Sequence, residues 1–210
     1  MSKQIRGIIL EGQSCCGKTS VFNALKRCHY EQIDSERNVI FLSEHYSQTL
    51  NWVNGEYRNL SREENLKVLA DRIAMLEQLN AYANSMGMHS RRSRGLFFVF
   101  ERFHLNYAFS HNDMQSEEYL QIENKLRSLN ALPVLLTVSP AYAEARLKHR
   151  SSYTGDEVTE DSISKYLMQQ ERFIEIAGKS SLATRIINTD SMDWDTIAKD
   201  LLRSMEVTYE

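Results

Sequence analysis

Residues Glu11 to Ser20 read EGQSCCGKTS, and within them Gly12, Gly17, Lys18 and Thr19 stand at the spacing G-x-x-x-x-G-K-[ST]. That spacing belongs to a phosphate-cradling loop. The first glycine permits a tight turn, the backbone N–H groups of Ser14 to Lys18 point inward around phosphate oxygens, and the next helix turns its positive end toward them. The lysine then lies across the β- and γ-phosphates, and the threonine hydroxyl ligates magnesium. The motif needs a strand before it and a helix after it. Ile5 to Leu10 (IRGIIL) is a short, mostly apolar run, while Val21, Phe22, Leu25 and Cys28 recur at helical spacing. The expected nucleotide-binding set is Gly12, Ser14, Cys15, Cys16, Gly17, Lys18, Thr19 and Ser20, with ATP and Mg2+ as the ligands. A thiol at a helix N-terminus invites a redox role for Cys15 and Cys16, but the backbone does the binding in such a loop and the side chains are mostly spectators.

The pattern continues along the chain. Asn38 to Ser43 (NVIFLS) reads as a second buried strand, with Glu44 just past its end. Ser61 and Glu64 make a capping box for a long helix whose apolar face is Leu66, Leu69, Ile73, Leu76 and Leu79, ending near Gly87. Leu96 to Phe100 (LFFVF) is continuously apolar, as a strand buried on both faces must be, and it delivers Glu101 and Arg102 at its carboxyl end. Ser116 to Leu129 reads as helix and Pro133 to Val138 (PVLLTV) as strand. Ser139 and Pro140 then open a helix to about His149, interrupted by the polar stretch Ser151 to Asp156. A helix from about Glu160 to Ala177, a short strand Thr184 to Asn188 and a last helix complete the chain. Strands alternating with helices predict an α/β fold: a phosphate-loop NTPase-type three-layer sandwich with a five-stranded, mainly parallel sheet, helices on both faces, and a lid segment at about 146–160. Two prolines, eight glycines and no low-complexity stretch suit one domain over residues 1–210.

Composition narrows the partners. A net charge of -3 gives no global basic field for nucleic acid or anionic membrane, so a small ligand is expected. The basic cluster Arg91, Arg92 and Arg94 reads as a solvated loop. Three cysteines, two of them adjacent, make neither a disulfide framework nor a zinc site, and no apolar segment reads as a signal peptide or membrane span. Cytoplasm is the expected location.

A phosphate loop alone does not separate a kinase from a motor ATPase or a switch GTPase. Those usually carry a strand-end aspartate, and a GTPase also an N-K-x-D segment; neither is evident. The other strand ends supply Glu44 and Glu101-Arg102 instead. Ligands in such sheets bind at the carboxyl ends of strands. A carboxylate there accepts a hydroxyl proton or holds magnesium, and an arginine grips an acceptor anion. Glu101 is thus a metal candidate beside Thr19. Arg146 and Arg150, near the start of the polar stretch, are expected to close over the transferring group, where positive charge is needed and water must be excluded.

With these residues in hand, the chain resembles the thymidylate kinase and deoxynucleoside kinase superfamily over nearly its whole length. Glu44 followed by Trp52 is similar to the strand-end glutamate and downstream tryptophan of deoxynucleoside kinases, where the glutamate is the general base. LADRIAMLEQL (Leu69 to Leu79) resembles the "ADR" helix, which implies that Arg72 reaches the acceptor base. FERF (Phe100 to Phe103) sits where the family has its D/E-R-Y/S element, and ARLKHR (Ala145 to Arg150) resembles the start of its lid. Ser43 and His45 flank Glu44 where thymidylate kinases carry an arginine and a Pro-Gly-Gly, and Val68 stands where they carry a stacking aromatic. The resemblance implies an ATP- and Mg-dependent kinase with catalytic residues Lys18, Glu44, Glu101, Arg102, Arg146 and Arg150, and an acceptor site of Glu44, Trp52, Arg72, Glu101 and Arg102. The acceptor would be a nucleoside or nucleoside monophosphate. Trp52, Tyr57, Phe103, Tyr107 and Phe109 are aromatics that could stack on its base. A homodimer through the long helices is a further implication. A kinase for another hydroxyl metabolite, a nucleotide-hydrolysing switch and a nucleotide-binding module without turnover remain open.

Overall fold

The computed structural model describes residues 4–31, 38–44, 50–53, 56–86 and 95–205; the side chains of residues 4, 50–57, 83 and 86 lie outside that description, as does the Arg91, Arg92 and Arg94 cluster. The described residues form β1 (Gln4–Glu11), α1 (Lys18–Tyr30), β2 (Val39–Leu42), β3 (Leu50–Val53), β4 (Glu56–Asn59), α2 (Arg62–Met86), β5 (Gly95–Glu101), α3 (His104–His111), α4 (Glu117–Ser128), β6 (Ala131–Thr137), α5 (Pro140–Thr154), α6 (Glu160–Lys179), β7 (Arg185–Asn188) and α7 (Trp194–Ser204). Five strands make one sheet in the order β2-β5-β1-β6-β7, and every pairing in it is parallel.

Alternation along the central strands explains the layers. Ile5 and Ile9 of β1, with Leu96, Phe98 and Phe100 of β5, point into one core, where α2, α3 and α4 add Leu69, Ile73, Leu105 and Leu126. Ile8 and Leu10, with Phe97 and Val99, point into the other, where α1 and α7 add Val21, Leu25, Ala198 and Leu201. Each large apolar side chain so buried contributes roughly 1.5–3 kcal/mol, enough to hold crossover helices on both faces. The α/β three-layer arrangement and its five-stranded parallel sheet are as the sequence predicts.

Several local expectations need correction. β2 is an edge strand, half-buried throughout, and not the buried strand its apolar run suggests. The Ser61–Glu64 capping box forms, but Leu79 at the far end of the α2 face is 41% exposed. α5 does not stop at His149: it runs through the polar residues to Thr154 and ends at Gly155, whose φ of 77° reverses the chain. The antiparallel pair β3–β4 and the helix α3 had no reading in the sequence. No helix among the described residues is long and apolar enough to cross a membrane.

Candidate active site

The loop between β1 and α1 takes the shape its glycines allow. Gly12 has φ 127°, and a Cβ there would meet the Leu136 carbonyl at 2.8 Å; Gly17 has φ 95°, and a Cβ there would meet the Trp194 ring at 2.7 Å. Both positions therefore exclude side chains. Cys16 is fully buried and its carbonyl accepts the Thr189 hydroxyl at 2.9 Å, which ties the loop to the end of β7; Cys15 is partly exposed at φ 67°. The Lys18 ammonium is buried against its own loop, donating to the Gln13 carbonyl at 2.6 Å. Burial pushes it below the ordinary lysine range, opposed by the neighbouring Cys16 thiol. A cation held at such a cost has a strong preference for an anion, which is what a polyphosphate brings.

The end of β5 meets this loop. The Thr19 hydroxyl donates to the Glu101 carboxylate at 2.9 Å. Arg102 adopts a left-handed φ of 60°, a backbone state that a non-glycine residue holds only when its surroundings over-determine it. Those surroundings are visible. Its N–H donates to the Leu10 carbonyl at 2.8 Å, and the next N–H groups, of Phe103 and Leu105, donate to one Glu11 oxygen at 3.1 and 3.0 Å. Glu11 is fully buried and caps α3 from the neighbouring strand, beside the imidazole of His104 at 3.4 Å. So held, the Arg102 guanidinium reaches Glu44 at 2.7 Å, Asn106 at 3.2 Å and Ser14 at 3.4 Å.

These groups share one cleft of about 1020 Å³, lined by Lys18, Thr19, Glu44, Glu101, Arg102, Asn106, Phe109, Arg146, Arg150 and Trp194. Ser14, Cys15, Gly17 and Ser20 also line it. Arg150 lies at the exposed edge, and Arg146, at the start of the segment expected as a lid, is packed into the fold. It is 7% exposed, donates Nη2 to the Thr189 carbonyl and lies over the Trp194 ring at 5.3 Å, because α5 enters the fold at this turn. Arg72 is half-buried on α2 and is not among the described residues that line the cleft. Trp52 falls in β3 and Tyr57 in β4, with side chains outside the described residues. Phe103 and Tyr107 are core residues, the latter donating to Asp113 at 2.6 Å; Phe109 does line the cleft, stacked on Phe173 at 4.4 Å.

The residues fit a magnesium–nucleotide complex. Nε of Arg146 is buried without a hydrogen-bond partner among the described residues, so the wall beside Trp194 retains a donor for a ligand acceptor. Thr19 and Glu101 offer adjacent hard oxygens of the kind magnesium takes, with phosphates and water completing its shell. No cluster of three or more His, Cys, Asp or Glu suited to a metal occurs among the described residues, and this arrangement needs none. Sequence reasoning missed Glu11, Asn106, Thr189 and Trp194. Asn106 had a faint signal, four residues after Arg102; the others act across the sheet.

No protein-family model matches the chain, nor does any curated protein. Solved structures do. The YorR protein of Bacillus subtilis, solved in complex with phosphorylated GDP, is similar at a TM-score of 0.61 and 21% identity, with 95% of each chain covered. Thymidylate kinase from Candida albicans matches at a TM-score of 0.51 and 16% identity over 97% of this chain and 92% of that one. Thymidylate kinase from Ehrlichia chaffeensis matches at 0.50 and 13% over 95% and 99%. On this likeness, carried through the phosphate loop and the parallel sheet behind it, the chain has the fold of the P-loop nucleotide kinases.

Proposed function

We propose that the chain is an ATP- and Mg-dependent kinase that transfers the γ-phosphate to a nucleoside or nucleoside monophosphate, acting as one domain over residues 1–210 with a lid at about 146–160. The observation that carries this is the convergence of Glu44 and Arg102, paired at 2.7 Å, on the cleft that holds Lys18, Thr19 and Glu101. A nucleotide-hydrolysing switch has no use for a carboxylate–guanidinium pair beyond the phosphates. Two of the similar structures being thymidylate kinases, and a third holding phosphorylated GDP, agrees with a nucleotide ligand.

Magnesium–ATP supplies the phosphoryl group and the metal's neutralising charge. In this chain the loop N–H groups hold the phosphates, and Lys18 exchanges the Gln13 carbonyl for phosphate oxygens. Thr19 and Glu101 hold the metal. Arg102 aims the Glu44 carboxylate, which takes the proton of an acceptor hydroxyl. Arg150 covers the phosphates from the exposed edge, and Arg146 with Trp194 forms the wall for the donor base. Most of the acceleration comes from positioning and charge neutralisation.

The test is ADP release from ATP and magnesium across a panel of nucleosides, nucleoside monophosphates and unrelated hydroxyl metabolites, with Lys18→Met as the blank. Stimulation by a nucleoside or monophosphate, lost in Lys18→Met, is the expected outcome. Phosphate release independent of any acceptor would instead make this a switch, and full activity in Lys18→Met would refute the site.

A further inference from the structure

A second, smaller cavity of about 260 Å³ opens against the phosphate loop, between the end of α5 and the start of α6. Ser14 and Cys15 of the loop line both cavities, as does Arg150, while Lys165 and Tyr166 of α6 line the smaller one alone. Phosphoryl transfer has no use for the Cys15 side chain, since such a loop binds phosphate through its backbone. At φ 67° the backbone there would also suit glycine better. A thiol nevertheless occupies the position.

Tyr166 is 4% exposed, and its hydroxyl has no hydrogen-bond partner among the described residues. Burial pushes the phenol well above the ordinary tyrosine range and the Cys16 and Cys15 sulfurs add to the rise, so the hydroxyl faces the phosphate loop. Gln13 lies beside it without closing a hydrogen bond, and both polar atoms of that buried amide are unpartnered as well. A buried hydroxyl left in this state costs free energy that a ligand acceptor would recover. At the rim of the cavity Arg150 and Lys165 stand with Asp156 and Glu157, all four exposed and without an ion pair among the described residues. Two cations and two anions over one small opening match a molecule that carries both carboxylate and ammonium groups. The thiols themselves differ: Cys16 and Cys28 are buried, and Cys15 is partly exposed. Partial exposure beside cations, just before a helix N-terminus, is the setting in which a thiol reacts.

We infer that Cys15 is a thiolation site, at which the disulfide of a small zwitterionic peptide thiol leaves one of its halves in this cavity. The Cys15 thiolate attacks one sulfur of the incoming disulfide, and a new S–S bond joins it to that half. The old S–S bond breaks, and its electron pair leaves with the other half as a thiolate, which takes a proton from water. Cys15 is thereby oxidised and the departing half reduced; an excess of free thiol runs the exchange backward. The Tyr166 hydroxyl donates to the attacking sulfur, and Arg150 and Lys165 hold the carboxylates of the half that stays. Formation of the adduct does not depend on the kinase reading. Its consequence rests on that reading: the loop and Arg150 serve both cavities, so adduct and magnesium–ATP exclude one another.

The experiment incubates the full, reduced chain with glutathione disulfide at neutral pH and follows the intact mass, with peptide mapping to locate the adduct. One glutathionyl group should add at Cys15 while Cys16 and Cys28 stay free, and dithiothreitol should remove it. Hydroxyethyl disulfide, which carries no charge, is the comparison reagent. The preference of Cys15 for glutathione disulfide over it should be about tenfold greater on the folded chain than on the urea-unfolded chain, because only the fold assembles the charged rim. Tyr166→Phe, which removes one oxygen, should react about threefold to tenfold more slowly, and the surface change Lys165→Glu should lower the preference for the charged reagent. No adduct, reaction at Cys16 or Cys28 as fast as at Cys15, or one preference in folded and unfolded chains would overturn the site. A folded Tyr166→Phe chain that reacts at the parent rate would overturn the part given to the hydroxyl. Saturating magnesium–ATP should slow thiolation at least about tenfold. Equal rates with and without it would overturn the competition, whether or not any acceptor is phosphorylated.

Discussion

Replacing Glu11 with alanine should destabilise the fold by about 3 kcal/mol, although the residue touches neither a ligand group nor solvent. The figure follows from what its carboxylate does. One oxygen accepts the N–H groups of Phe103 and Leu105 at 3.1 and 3.0 Å, and α3 has no side-chain cap of its own. Truncation leaves two buried donors unpaired, at about 2 kcal/mol each, less about 1 kcal/mol recovered because a buried anion no longer needs desolvating. In a chain of this size that corresponds to a midpoint roughly 6–12 °C lower on thermal unfolding. Glu11→Gln keeps an acceptor oxygen and loses the charge, so it should cost less than half as much. Circular dichroism on heating, with urea titrations to give free energies, measures all three chains. An alanine variant within about 1 kcal/mol of the parent, or a glutamine variant as damaged as the alanine one, would refute the capping argument. Because α3 follows directly on Arg102 and carries Asn106, the alanine variant should also raise the acceptor KM more than the KM for ATP.

Gly17→Ala should abolish tight nucleotide binding and lower stability by about 1–3 kcal/mol, since the new methyl meets Trp194 at 2.7 Å on a backbone with φ 95°; calorimetric titration with magnesium–ATP checks it. Thr19→Val removes the hydroxyl that donates to Glu101, and kcat should fall about 100-fold with little change in folding; a variant as fast as the parent would remove Thr19 from the metal site. Asp113 supplies a pH dependence. Partial burial works to raise its pKa, but hydrogen bonds from Tyr107, Ser116 and Arg62 outweigh it and draw the carboxyl down from 3.8 to about 2. A depressed pKa stabilises above the unfolded value and is lost as protons bind the folded state. Stability should therefore fall as pH drops from about 4 to 2, and Asp113→Asn should flatten that part of the acid-unfolding curve.

The parts of this fold that can be read from the sequence are those whose cause is local. LFFVF announces a buried strand because every position is apolar, and the strand-end carboxylates follow by counting from it. The phosphate loop is legible because its glycines are demanded by its own backbone. What escaped reading depends on distant chain. α3 begins without a local cap because Glu11 on β1 provides one, so His104–His111 carries no start signal. β2 has a buried strand's composition but stands at the sheet edge, which no single run can reveal. The polar residues after His149 look like a break, yet polarity does not end a helix and Gly155 does. Arg146 reads from its neighbours in sequence as the start of a lid, and its packing against Thr189 and Trp194 is visible only in space.

That last contact gives the cleft an optical reporter of its own. The chain has two tryptophans, and Trp194 stands with a guanidinium 5.3 Å over its ring and its edge against the phosphate loop. Indole emission responds to nearby charge, and any ligand that draws Arg146 toward an anion alters the field at that ring. In Trp52→Phe the remaining emission comes from the donor wall alone, so filling of that end can be followed in real time, without label and independently of turnover.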